Sequence, residues 1–252
     1  MTVRELYTLI SEKIPPSLSE AWDNDGLMCC PAPEREVHRI LFALDVTDAV
    51  VVHALESKAD VIISHHPLVF AKLPALTTER PVAGRLIRLV QAGVSVFSFH
   101  TRFDRLSGGV NDTLAETLGL SDVIALGDGE ASLGRVGTLN APMTLGAFCE
   151  HVKRALGVPF VTAFDADRTV SRVAVVGGEG KDFIAAASLA GADTYLSGRL
   201  GYHAMQDASI NLVEAGHYFT ERPAVLTLEA LVRELASDVV TEIYTPNPLS
   251  VY

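Results

Sequence analysis

The stretch "ADVIISHHPL" at residues 59–68 decides how this chain is read. Residues 60–64 form an apolar run that reads as a strand buried on both faces, and the run ends on two adjacent histidines and a proline. Upstream, "RILFALDV" (39–46) is a second near-continuous apolar run. Between them, "DAVVVHALESK" (48–58) reads as a helix with Thr47 as its N-cap. Downstream, a helix over about 80–92 leads to a third strand, "VSVFSF" (94–99). This β-α-β-α-β order predicts a parallel sheet with right-handed crossovers.

The second half repeats the scheme. "RVAVVG" (172–177) reads as a strand, "KDFIAAASLAG" (181–191) as a helix and "TYLS" (194–197) as a strand. A short helix near 202–208 then precedes "INLVEAG" (210–216). The halves share wording: "ADVIISHHPL" lies over "ADTYLSGRLG" (192–201), and "VSVFSFHT" (94–101) lies loosely over "INLVEAGHY" (210–218). The fold class expected is α/β, with two related lobes, each a mainly parallel sheet flanked by helices. Residues 1–127 plus 215–252 are assigned to the first lobe, which carries the candidate site, and 128–214 to the second. "LGDGEASLG" (126–134) reads as the linker. An amphipathic helix over 2–13, stopped by Pro15 and Pro16, opens the chain, and "WDNDGL" (22–27) is a turn-rich loop.

Composition narrows the partners. A formal net charge of −11 disfavours binding to nucleic acid or an anionic membrane surface through overall charge. Three cysteines, two of them the adjacent Cys29 and Cys30, make neither a disulfide framework nor a zinc-finger spacing, so a cytoplasmic setting is expected. The N-terminus has no long apolar segment of the signal-peptide kind. The most apolar window, "LIRLVQAGVSVFSF" (86–99), contains Arg88 and Gly93 and reads as a helix end followed by a strand, with no membrane span. "VVGGEGKD" (175–182) lacks the spacing of a dinucleotide fingerprint or a P-loop and reads first as a tight turn. No "GxSxG" elbow marks a serine hydrolase.

In open parallel sheets, ligands bind at the carboxyl ends of the strands. The strand at 60–64 ends in His65 and His66, and that at 94–99 in His100, with Asp104 four residues on. The strand at 210–216 ends in His217, with Glu221 four residues on, and Asp45 follows the first strand. Imidazole and carboxylate are ligands for Zn, Fe, Mn and similar divalent ions. Adjacent side chains at a strand end diverge, so His65 and His66 suit two ions better than one. A carboxylate such as Asp104 can bridge such a pair. One helical turn from His217 puts Glu221 on the same face. Against this stands the plainer reading, that such histidines are structural or solvated. His38, His53 and His151 are read that way, and His203 is left open.

The combination "WDNDGL", "SHHPL", "FHTRFD" and "EAGHYFTE" resembles the dinuclear metal-centre family called GTP cyclohydrolase 1 type 2, also YbgI-like or Nif-three-like. The resemblance spans nearly the whole chain. It implies a two-lobed α/β protein, a homohexameric ring and two divalent metal ions per chain. By that resemblance His65 and His66 are ligands, Asp104 is the bridging carboxylate, and His217 and Glu221 complete the set. His100 is the nearby proton-transfer histidine. The loop residues Asp23 and Asn24, beside Trp22, are assigned to a pocket wall that contacts substrate.

Where relatives commonly show Thr-Gly-Asp, this chain has "SGR" (197–199). Guanidinium cannot ligate a divalent cation, so the second lobe is not expected to repeat the metal pair. Arg199 suits a carboxylate or phosphate; the alternative is a salt bridge to Asp193 or Glu214. Two classes of function follow: a metal-dependent hydrolase of a nucleotide-like or other anionic small molecule, and a non-catalytic metal-binding ring with an accessory or regulatory role.

Overall fold

The computed structural model describes residues 1–127, 133–206, 208–247 and 249–250. The expected linker at 126–134 lies largely outside the described residues. In chain order the first elements are α1 (Val3–Lys13), β1 (Gly26–Cys29), β2 (Arg39–Ala43), α2 (Asp48–Glu56), β3 (Val61–Ser64), α3 (Pro81–Ala92), β4 (Ser95–Ser98), α4 (Thr101–Arg105), α5 (Val110–Thr117) and β5 (Leu120–Ala125). There follow β6 (Arg135–Met143), α6 (Leu145–Leu156), β7 (Thr162–Phe164), β8 (Val170–Glu179), α7 (Ile184–Leu189), β9 (Thr194–Arg199), α8 (Tyr202–Gln206), β10 (Asn211–Glu214), α9 (His217–Glu221), α10 (Pro223–Leu235) and β11 (Val240–Ile243).

These elements form a mixed α/β protein with two sheets flanked by helices. The described residues fall into two compact units, one within 1–103 and 225–249, the other within 104–224 with 250. Residues 104–127 and 215–224, drawn with the first lobe in the sequence reading, group with the second unit, where β5 hydrogen-bonds to β6 and α9 follows β10.

The first unit holds a five-stranded sheet in the order β1-β4-β3-β2-β11. All its pairings are parallel except β1–β4 at one edge. Leu41, Ala43, Ile62 and Val96 pack one face against Val50, Val51 and Ala54 of α2 and Leu89 of α3. On the other face α1 brings Tyr7 to 5.1 Å from Phe97, ring centre to ring centre. Helix α1 starts where its sequence dictates: Thr2 and Glu5 form a reciprocal capping box. Gly93, at φ +71°, ends α3 and turns the chain into β4, so the most apolar window is a helix end and a strand. No helix among the described residues is long and apolar enough to cross a membrane.

The second unit holds a six-stranded sheet in the order β5-β6-β8-β9-β10-β7. Its centre, β8-β9-β10, is parallel, and the outer pairings are antiparallel. Leu114 of α5 and Phe148 and Val152 of α6 cover one face through Val173, Val175, Leu196 and Val213. Ala187 of α7 packs with Tyr195 and Leu212 on the other.

The shared wording of the halves has a structural cause. Asp60 accepts from the backbone N–H groups of His38 and Arg39 at 2.8 and 3.1 Å. Asp193 accepts from Ser171 and Arg172 at 2.9 and 2.7 Å. Each aspartate therefore caps the start of the neighbouring strand, and each sheet centre is hung in the same register. Ala43 pairs with Ser64 as Val176 pairs with Ser197.

Candidate metal centre

In the first unit the carboxyl ends of β3 and β4 bring three imidazoles together. His65 is buried, and its Nδ1 donates to the Phe99 carbonyl at 2.9 Å. His66 Nδ1 donates to Asp45 Oδ1 at 2.7 Å. His100 Nδ1 donates to Asp23 Oδ1 at 2.9 Å. A carbonyl or an ionised carboxylate can only accept, so each ring carries a proton on Nδ1, and in its neutral form leaves its lone pair on Nε2. That is the tautomer a metal-ligating histidine needs, with its second nitrogen held by an acceptor. The three residues offer ligand atoms within 4.8 Å of one another. The donor set therefore fits a divalent ion such as Zn, Fe or Mn.

"WDNDGL" is what holds His100. Asp23, its side chain fully covered, also accepts from the Thr101 backbone N–H at 3.1 Å and the Thr101 hydroxyl at 2.6 Å. Burial opposes ionisation of Asp23, but the hydrogen bonds from His100 and Thr101 outweigh it and hold the carboxyl at about 2. Asp25 accepts from the His100 N–H at 3.3 Å and from Nε of the buried Arg102 at 3.1 Å. Asn24 Nδ2 donates to the Val69 carbonyl and so ties this loop to the one that follows His66. Trp22 is not buried: it is 63% exposed and sits beside Phe70.

In the second unit, β10 ends at Gly216, whose φ of +81° turns the chain into α9. His217 opens that helix, and its Nε2 lies 2.9 Å from Oε2 of the buried Glu221 one turn on. The i, i+4 spacing thus does what the sequence promised. Asp104, on α4, is nearly buried, and its backbone carbonyl accepts from Asn111 at 3.3 Å. Asn111 also accepts from the Gly177 N–H at 2.8 Å, so the start of α5 and the end of β8 are joined through one side chain.

The glycines of "VVGGEGKD" have a role that the sequence reading did not assign. A Cβ on Gly178 would lie 2.2 Å from Glu221 Oε1 and 3.0 Å from His217 Nε2. A Cβ on Gly198 would lie 2.7 Å from the His217 Cα. These positions are bare so that α9 can lie directly on the ends of β8 and β9. The signal available in the sequence was a glycine pair at one strand end and the "EAGH" end of a later strand of the same repeat.

Arg199, at the end of β9, is exposed. Among the described residues it makes no ion pair with Asp193 or Glu214. Asp193 serves Ser171, Arg172 and Thr194, and Glu214 accepts from the Leu200 and Gly201 N–H groups. Of the histidines set aside, His53 bonds Glu242 at 2.7 Å, His151 bonds the Leu118 carbonyl at 2.9 Å, and His38 is largely exposed.

The chain is thus a mixed α/β protein whose strand ends carry histidines that could hold a metal ion. The sequence pattern of the Duf34/NIF3 family (NGG1p interacting factor 3) matches residues 1–248, and the chain belongs to that family. A "GTP cyclohydrolase 1 type 2 homolog" of Clostridium perfringens is 35% identical, the match covering 95% of this chain and 94% of the relative. The "Protein NIF3 homolog" of Schizosaccharomyces pombe is 30% identical over 86% and 84% of the two chains. Among solved structures, a Staphylococcus aureus hypothetical protein superposes with a TM-score of 0.91 at 26% identity, covering 100% of this chain and 99% of that one. Reduced HcgD from Methanocaldococcus jannaschii does so at 0.83 and 25%, covering 96% and 97%.

Proposed function

We propose that this chain is a dinuclear metal-dependent hydrolase of an anionic, nucleotide-like small molecule. The observation that carries the reading is the cluster of His65, His66 and His100, each with an acceptor held against its Nδ1. In this reading His65, His66, His217 and Glu221 are ligands and Asp104 bridges. Divalent ions bound there supply Lewis acidity and lower the pKa of a coordinated water. His100, oriented by Asp23, moves a proton, as an imidazole titrating near neutrality can. Arg199, exposed and without an ion pair among the described residues, receives an anionic group of the substrate. The names of the relatives support a cyclohydrolase-like reaction on a purine ring, and the family resemblance supports a homohexamer in the cytoplasm.

The test is elemental analysis of the purified protein, then a hydrolysis screen over nucleotides with each metal restored in turn. Two ions per chain with turnover that depends on them support the reading. Two ions with no turnover on any nucleotide move the protein to the non-catalytic metal-binding class. Light scattering that gave a monomer at micromolar concentration would remove the ring.

A further inference from the structure

Beside the histidine group lies an aromatic corner of which the metal reading uses only His100. The rings of Trp22, Phe70 and His100 form a nearly equilateral triangle, with centroid distances of 6.2 Å (Trp22–Phe70), 6.3 Å (Trp22–His100) and 6.2 Å (Phe70–His100). Their planes meet at 69°, 76° and 85°, so the contacts are edge-to-face and none of the three pairs is stacked. Trp22 is 63% exposed and Phe70 56%, although both are large apolar side chains on loops. His100 in turn stands 5.3 Å from the His65 ring and 5.6 Å from the His66 ring, so the corner adjoins the candidate metal ligands.

The corner is built, not incidental. Asn24 bonds the Val69 carbonyl and thereby ties the Trp22 loop to the Phe70 loop. Asp23, the residue after Trp22, holds both His100 and Thr101. The three rings thus belong to one hydrogen-bonded frame, and a ligand meeting them has little ordering left to pay for. Two exposed aromatic rings set steeply to each other suit a flat, π-bearing guest better than an aliphatic one: it can stack on one ring and meet the edge of the other.

We infer that Trp22 and Phe70 form a subsite for a planar heteroaromatic ring, which would hold the ring of a nucleotide-like substrate next to the histidines. This deepens the hydrolase reading and rests on it for the identity of the reacting centre, but ring binding itself requires no metal.

Trp22 is the only tryptophan in the chain, so its fluorescence reports this corner alone. The experiment titrates the whole protein, with and without metal, using guanosine monophosphate and ribose 5-phosphate, which share sugar and phosphate and differ by the ring. Quenching by the former and not the latter is expected. Phe70→Ala, at an exposed position where folding is little affected, should weaken guanosine monophosphate roughly 10-fold or more, the scale of one lost base–aromatic contact. Phe70→Tyr should restore it. Equal responses to the two probes, or unchanged affinity in Phe70→Ala, overturn the inference. So does a Trp22 emission that is blue-shifted and unresponsive in the free protein, which would mean that a second copy of this chain covers the pair. Ring-dependent quenching in a protein without metal or turnover would keep the subsite and sink the hydrolase reading. Metal-dependent turnover without ring-dependent quenching would do the reverse.

Discussion

The carboxyl ends of the two sheet centres share a frame and differ in what they carry. Asp45, at the end of the first strand of the first repeat, orients His66; its counterpart in the second is Gly178, left bare for Glu221. His65 and His66 answer to Gly198 and Arg199, and His100 answers to Gly216. The first repeat thus mounts its imidazoles on the strand ends. The second has glycine at three of those four places and carries His217 and Glu221 on the helix that lies over them. The difference teaches that the strands set where chemistry can stand, while local crowding decides whether it stands on the strand or on the next helix.

The largest effect expected is at the residue assigned to bridge. Asp104→Ala should lose both ions together, whereas His65→Ala or His66→Ala should weaken mainly one. Elemental analysis decides this, and an Asp104→Ala protein that kept two ions per chain would end the bridging assignment.

The shared frame can be broken next. Asp60→Ala and Asp193→Ala each strand two backbone N–H groups at the edge of a core strand. Each should cost about 3 kcal/mol, from roughly 1–3 kcal/mol per orphaned group. Urea unfolding should show similar losses; a loss at one site only would show that the repeat is not energetically equivalent.

The contrast between Asp45 and Gly178 predicts similar losses of metal by opposite causes. Asp45→Ala frees the His66 ring and should lower metal affinity about 10- to 100-fold, as loss of an orienting partner does. Gly178→Ala inserts an atom where Glu221 Oε1 stands, at a φ of +67°, and should also weaken metal binding. Metal titration of both variants checks this, and a Gly178→Ala protein with unchanged affinity would show that Glu221 can give way without loss.

The smallest effect belongs to Arg199. Arg199→Ala should keep both ions and weaken phosphate up to about 5-fold, the scale of an exposed ion pair. Calorimetry that returned equal phosphate affinities would make Arg199 a surface residue with no part in substrate.

Much of this was legible in the chain. The buried strands β2, β3, β4, β8, β9 and β10 are apolar runs, all but β2 with histidine or glycine at the end, and continuous burial leaves that mark whatever the neighbours do. The histidines at strand ends and the i, i+4 step from His217 to Glu221 follow from position along the chain. The edge strands were harder. β5 is mostly exposed, with a positive φ at Asp122, and β7 has only three residues, so neither shows the apolar run that marks a buried strand.

What only the tertiary structure decided is which polar groups meet across long stretches of sequence. Asp23 finds His100, Asp25 finds Arg102, and Glu221 fills the space that Gly178 leaves. Trp22 stands exposed beside Phe70, a pairing across 48 residues of sequence. A sequence fixes periodicity, turns and the chemical kind of each side chain. Hydrogen-bond partners and missing side chains have meaning only once the packed chain sets the distances between them, and those distances are set by every strand and helix at once.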